Sequence, residues 1–186
     1  KKALYKGHAV AAIAAVDRYV ADYAASKVKV EYEVLESVTN VEDATKENAP
    51  ILLEDLVGDH IGEKVSNTNI ASVTRHEFGN PDKAFEEAEN VVEKTFTLQM
   101  VHQGYIEPHN ATAHWDEDDR IKVWTSTQGA FPVRTSTAAI LDMDVSRIKV
   151  TPLEIGGGFG GKIPVYLEPV VSILSKKSGR PVKAIM

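Results

Sequence analysis

Three short segments carry the residues whose types could do chemistry. They are Glu107-Pro108-His109, Ser126-Thr127-Gln128-Gly129 and Glu154-Ile155-Gly156-Gly157-Gly158-Phe159-Gly160-Gly161-Lys162. The last holds five of the chain's twelve glycines. An apolar run, Ile148 to Ile155 interrupted by Pro152, leads into it, and the pattern beyond predicts a helix over about Val165 to Lys177. A strand running through a glycine turn into a helix bares main-chain N–H groups at a positive helix end. Such a turn suits an anionic group, because no side chains stand in the way.

Two common loops of this kind each fail at a specific residue. Gly156-x-x-x-x-Gly161-Lys162 follows the triphosphate loop until Ile163, where a Ser or Thr hydroxyl is needed for Mg²⁺. Gly156-x-Gly158-x-x-Gly161 also fits the dinucleotide fingerprint. Ser178-Gly179-Arg180 stands where that motif needs a ribose-binding acid, and no Asp or Glu follows Glu168. A plain turn that uses glycine only for positive φ leaves Phe159 unexplained.

Gln128 offers two donors and one acceptor without charge. It either fixes an oxo or carbonyl oxygen or caps its own helix. Glu107 reads as a hydrogen-bond anchor in preference to a general base, and His109 as a packed imidazole. His102, His109 and His114 invite a metal reading. On strands, however, their odd spacings put successive histidines on opposite faces, so no protein-ligated metal is expected. There is no Gly-x-Ser-x-Gly elbow, and with no cysteine the chain has no thiol nucleophile, disulfide or iron–sulfur ligand.

The elements that must position these segments follow from periodicity. Tyr5 to Val16 reads as a strand, Asp17 to Ser26 as a helix capped by Asp17, and Val28 to Leu35 as an alternating strand. Glu36 to Asn69 has weak periodicity and reads as a linker with one helical turn at Val41 to Thr45. Ile70 to Glu77 and Val91 to Val101 are strand-like, with a short helix between them. Gly104 to Trp115 and Ile121 to Thr127 bracket four acids, Asp116 to Asp119, read as a solvated hairpin tip. A helix, Val133 to Leu141, is expected to carry Pro132 in its first turn. Val182 to Met186 is strand-like.

The chain's 186 residues are 43% hydrophobic and carry a net charge of −6, enough for a core and without a basic stripe. Nucleic acid is therefore not an expected partner. No apolar run reaches the ~20 residues of a membrane span. The lack of cysteine fits a cytoplasmic location.

The three segments, in this order and spacing, resemble the molybdopterin-binding large subunit of the xanthine dehydrogenase and aldehyde oxidase family. Trp124-Thr125 before Ser126, Gly179-Arg180-Pro181-Val182-Lys183, and Tyr5-Lys6-Gly7-His8-Ala9-Val10-Ala11 resemble it too. The resemblance implies an α+β fold: the end of a small α/β hammerhead domain (residues 1–36), an extended linker (37–65), and the first part of a molybdopterin-binding domain (66–186). It implies a fragment of a molybdenum hydroxylase, which hydroxylates an aldehyde or aromatic N-heterocycle with water as oxygen source. Electrons would pass to iron–sulfur and flavin partners. The cofactor would be molybdopterin with molybdenum, in bacteria often the cytosine dinucleotide form.

By the same resemblance, Gln128 would bond the molybdenum's apical ligand, Phe159 would flank substrate, and Gly160 would present its N–H to the metal-bound oxygen or the pterin. Gly129, Gly158 and Gly161 complete the expected cofactor-binding set. The family's catalytic Glu falls outside this chain, so the isolated fragment is expected to be inactive and not to retain the cofactor. Purine-oxidising members carry Glu directly after Gly-Gly-Lys, where this chain has Ile163. The other reading is a non-catalytic interaction or assembly module of the same architecture. Open sheet edges make self-association an expectation.

Overall fold

The computed structural model describes residues 2–186. The fold is α+β, and it divides into two compact units. One joins the stretch ending at His8 to Val30–Leu98, and the other joins Ala9–Lys29 to Gln99–Met186.

In the first unit, strand β1 (Val57–His60) pairs antiparallel with β2 (Glu63–Ser66) and parallel with β3 (Ser72–Val73). Ile61 and Gly62, both at positive φ (54° and 89°), make the tight turn that matches the twist of a two-residue hairpin. Asp59 accepts from the Gly62 amide at 2.9 Å and holds Lys64 at 2.7 Å. Helix α2 (Val41–Ala44) is capped by Asn40, and α3 (Pro81–Glu87) by Asn80 with Pro81 at its start. Residues 37–65 hold the helical turn expected at Val41 to Thr45, and with it β1 and all of β2 but Ser66.

In the second unit, α1 (Arg18–Ala25) starts at Asp17, whose carboxylate accepts from the Val20 amide at 2.8 Å. The main sheet has the order β6-β5-β4-β7, with β4 Asn110–Trp115, β5 Ile121–Thr125, β6 Ile148–Pro152 and β7 Val182–Ile185. β4 is antiparallel to β5 and to β7, and β5 is parallel to β6. Helix α4 (Ala130–Leu141) connects the parallel pair, and α5 (Glu168–Ser178) leads into β7. Alternation along β4 and β5 sends Ala111, Ala113, Trp115, Ile121 and Val123 into one core with Ile148, Ala138 and Val171.

Three segments read as strands form none. Tyr5 to Val16, Val28 to Leu35 and Val91 to Val101 have no ladder partner among the described residues. Their alternation defines a face, but a strand exists only through pairing. Two helix boundaries also move. α4 begins at Ala130, so Pro132 is its third residue, and α5 begins at Glu168 rather than at Val165. Residues 162–167 therefore separate the glycine loop from the helix, and the helix end does not open directly onto the loop.

Candidate functional site

All three chemistry-bearing segments meet at one end of the main sheet. β5 and β6 run parallel and finish there, and β4, antiparallel to β5, begins there. Glu107-Pro108-His109 enters β4. Ser126 to Gly129 leaves β5 for α4, and residues 153–162 leave β6. Loops beyond the carboxyl ends of parallel strands are a common place for ligand sites. Main-chain bonds stitch the segments together: Ser126 N to Asn110 O (3.2 Å), Leu153 N to Thr125 O (3.1 Å), Glu107 N to Gly156 O (3.3 Å) and Gln128 N to Lys162 O (3.0 Å).

Gln128 does not cap α4. The N-cap of that helix is Gly129, no side chain caps it, and Thr127 Oγ1 accepts the Gly129 amide at 3.0 Å. The Gln128 Oε1 instead accepts from the amides of Gly160 (3.0 Å) and Lys162 (3.2 Å). Two donors on one oxygen fix the amide's orientation. The Nε2 group is left as a donor with no protein acceptor among the described residues, on an exposed side chain.

This changes the expected role of Gly160, whose N–H is spent on Gln128. Gly161 donates to Gly158 O at 2.7 Å, and Gly156 donates to Glu107 Oε2 at 2.6 Å. Between Gly156 and Lys162 the amides that donate to no protein acceptor among the described residues are those of Gly157, Gly158 and Phe159; upstream, those of Glu154 and Ile155 have none either. Phe159 has a φ of 49° and is 73% exposed. A bulky residue held left-handed with its ring in solvent is a strained arrangement of the kind that gathers at ligand sites.

The glycines serve close approach as much as turning. A Cβ at Gly158 would lie 2.6 Å from Gln128 Oε1, and one at Gly156 would lie 2.6 Å from Glu107 Cβ. At Gly161 it would meet Gln103 and Tyr105 at 2.9–3.0 Å. Only Gly157 and Gly160 in this loop need glycine for positive φ.

Glu107 is an anchor. Its carboxylate takes Lys162 Nζ at 2.7 Å, the Gly156 amide at 2.6 Å and Asn110 Nδ2 at 3.0 Å. The Lys162 ammonium, more than the two neutral donors, holds this carboxyl below its ordinary value of 4.5 against the opposing effect of burial. With its oxygens so engaged, it is poorly placed to take a proton from substrate. Burial, helped by the Lys162 charge, pushes His109 below its ordinary 6.5, so its neutral form is favoured. Its ring stands edge-on between Tyr105 (5.4 Å) and Tyr166 (4.8 Å), and His102 packs on Tyr105 at 4.7 Å. His114 lies within β4, opposite Lys122.

The sequence reading missed Lys162 as a site residue. Its ammonium is fully buried, and only its place at the end of the glycine run hinted at a role. It also missed Glu168, buried at the start of α5, which accepts Thr125 Oγ1 at 2.6 Å and the Tyr166 amide at 3.1 Å. No helix among the described residues is long and apolar enough to cross a membrane.

Residues 61–186 match the molybdopterin cofactor-binding domain family. The chain is 29% identical over 179 residues to the nicotinate dehydrogenase large molybdopterin subunit of Eubacterium barkeri, covering 96% of this chain and 39% of that one. It is 31% identical over 179 residues to a probable xanthine dehydrogenase chain of Bacillus subtilis, covering 96% and 22% respectively. CO dehydrogenase from Oligotropha carboxidovorans shares the fold at a TM-score of 0.75 and 30% identity, over 91% of this chain and 22% of that one. The chain thus spans well under half the length of these relatives.

Proposed function

Because this chain belongs to the molybdopterin cofactor-binding domain family, the family its motifs resemble, we propose that Gln128 and the Gly157–Phe159 loop receive the oxygen-rich metal end of that cofactor. The observation that carries this reading is the clamped amide. The Gln128 oxygen is consumed by Gly160 and Lys162, so the side chain can only donate, beside three free main-chain donors. An array that only donates fits a group rich in acceptor oxygens. The buried Lys162 ammonium beside it is already matched by Glu107. Donors held in place in advance stabilise developing negative charge without reorganising.

A bound molybdenum–pterin group supplies a two-electron redox centre, which no residue of this chain provides. The proposed activity is that of part of a molybdenum hydroxylase large subunit. Its substrate would be an aldehyde or aromatic N-heterocycle, with water as oxygen source and iron–sulfur and flavin partners as electron acceptors. Gln128 and the three amides bind and orient, and the exposed Phe159 ring flanks the substrate. Ile163, 49% exposed, offers no carboxylate to anchor a purine. The base for this chemistry is not Glu107, which is committed to Lys162.

Metal and pterin analysis of the full-length protein tests the reading, and also shows whether the pterin carries a cytosine nucleotide. Molybdenum and pterin in equal amounts are expected. Gln128→Ala should lower kcat by about 10²–10³, the usual loss for one donor of such an array. A full-length protein that folds without molybdenum or pterin, even when both are supplied, would leave the assembly-module reading in its place.

A further inference from the structure

The geometry points to Lys162 and Glu107 as a positioning pair that sets which way the Gln128 amide faces. Lys162 holds Gln128 from two sides. Its amide donates to Gln128 Oε1 at 3.2 Å, and its carbonyl accepts the Gln128 amide at 3.0 Å. That carbonyl also accepts Thr127 Oγ1 at 3.1 Å. The main chain of Lys162 therefore fixes both ends of the residue that presents Nε2.

What fixes Lys162 is its side chain. The ammonium is fully buried, 2.7 Å from Glu107 Oε2 and 4.9 Å above the Tyr105 ring. A buried ammonium is costly unless its partner is close and well placed, so the residue has few alternative positions. Glu107 in turn is tied to Gly156 at the other end of the same loop and to Asn110 at the start of β4. The loop from Gly156 to Lys162 is thus pinned at both ends to one carboxylate. Gly160, between them, completes the clamp on Gln128. Neither Lys162 nor Glu107 is needed to touch a ligand for this to work.

The link from this pair to cofactor retention rests on the proposed function, but the positioning itself does not, so the two are tested separately. Amide hydrogen exchange is compared in the full-length protein for Lys162→Met, Glu107→Gln, Gln128→Ala and Glu107→Gln combined with Gln128→Ala. Each single variant should speed exchange at Gly160 and Lys162 about ten-fold, the size expected for a coupled pair, while β4, β5 and β6 stay protected. The combined variant should add little, because both changes release the same two amides. Unchanged exchange in the loop, a rise spread evenly over the sheet, or fully additive effects would overturn the proposal. Where Lys162→Met does not fold, Glu107→Gln, which keeps the side chain's size, decides the question by the same criteria. Molybdenum content of each variant is the second measurement. Coupled exchange in a protein that binds no molybdenum would uphold the pair and refute the cofactor reading.

Discussion

The strands β4 and β5 and the segments Val28 to Leu35 and Val91 to Val101 have similar alternating sequences and opposite fates. Along β5, Ile121, Val123 and Thr125 are buried with Lys122 exposed between them. Along Val28 to Leu35 the same alternation leaves Val30 41% and Val34 91% exposed. Between Val91 and Val101, Phe96, Leu98 and Met100 are nearly fully exposed. The difference lies in what brings a partner alongside. β4 and β5 are joined by the four-acid turn, and β5 and β6 by α4. The other segments are flanked by stretches that deliver no neighbour among the described residues. Alternation therefore specifies a face, while connection length specifies a pairing.

The same charge placed in both regions should act very differently. Val123→Asp places an unpaired carboxylate in the sheet core and should cost several kcal/mol, about 3–5 by analogy with broken buried pairs, enough to abolish the unit's folding. Val34→Asp should change stability by no more than about 0.5 kcal/mol. Urea unfolding followed by circular dichroism and Trp fluorescence reads both. Equal effects at the two positions would mean that the Val28 to Leu35 face is covered after all.

Glu168 distinguishes the two regions by a smaller energy. It ties the end of β5 to the start of α5 through Thr125 and accepts the amide of Tyr166, two residues before the helix. Glu168→Ala leaves the buried Thr125 hydroxyl with only the Asn110 carbonyl and should cost about 1–3 kcal/mol. Glu89 of the first unit is exposed and has no hydrogen bond or ion pair among the described residues, so Glu89→Ala should be close to neutral, within about 0.5 kcal/mol. The same urea titrations measure the difference.

What could be read in the sequence follows the same division. The hairpin of β4 and β5, the β6 strand, α4, α5 and β7 were all legible, because each carries an apolar pattern that the fold pairs or packs, even where the partner is distant in the chain, as β7 is from β4. The convergence of Gln128 with the glycine loop was legible through motif order. Three things were not. The carbonyl of Gln128 turning inward, and hence the loss of Gly160 as a free donor, depends on a rotamer that no spacing encodes. The Lys162–Glu107 pair joins residues 55 apart in sequence. The glycines at 156, 158 and 161 are required by side chains arriving from elsewhere, which a one-dimensional motif records only as permissive turns.

The smallest expected effect concerns acid, and it separates the site end of the sheet from its far end. His109 is held below its ordinary 6.5, so the fold favours its neutral form. Its contribution to stability is whole above 6.5 and is lost as pH falls towards its lowered value. Glu107 is held below its ordinary 4.5, so its contribution is whole above 4.5 and is lost as pH falls through its lowered value. Both groups bind more protons when unfolded, so both make stability fall with falling pH, His109 first and Glu107 second. His109→Phe, which keeps a ring between Tyr105 and Tyr166, should remove the upper limb, and Glu107→Gln the lower. Hydrogen exchange across this range should loosen the loops at 107–109 and 156–162 before the four-acid hairpin tip at the opposite end. There Asp119 accepts from Trp115 Nε1 at 2.7 Å and is itself held below its ordinary 3.8, chiefly by that bond, and no imidazole lies among the tip residues to titrate first. Loosening of the tip first would contradict this order, because it would put the first acid-sensitive contact at the wrong end of the sheet.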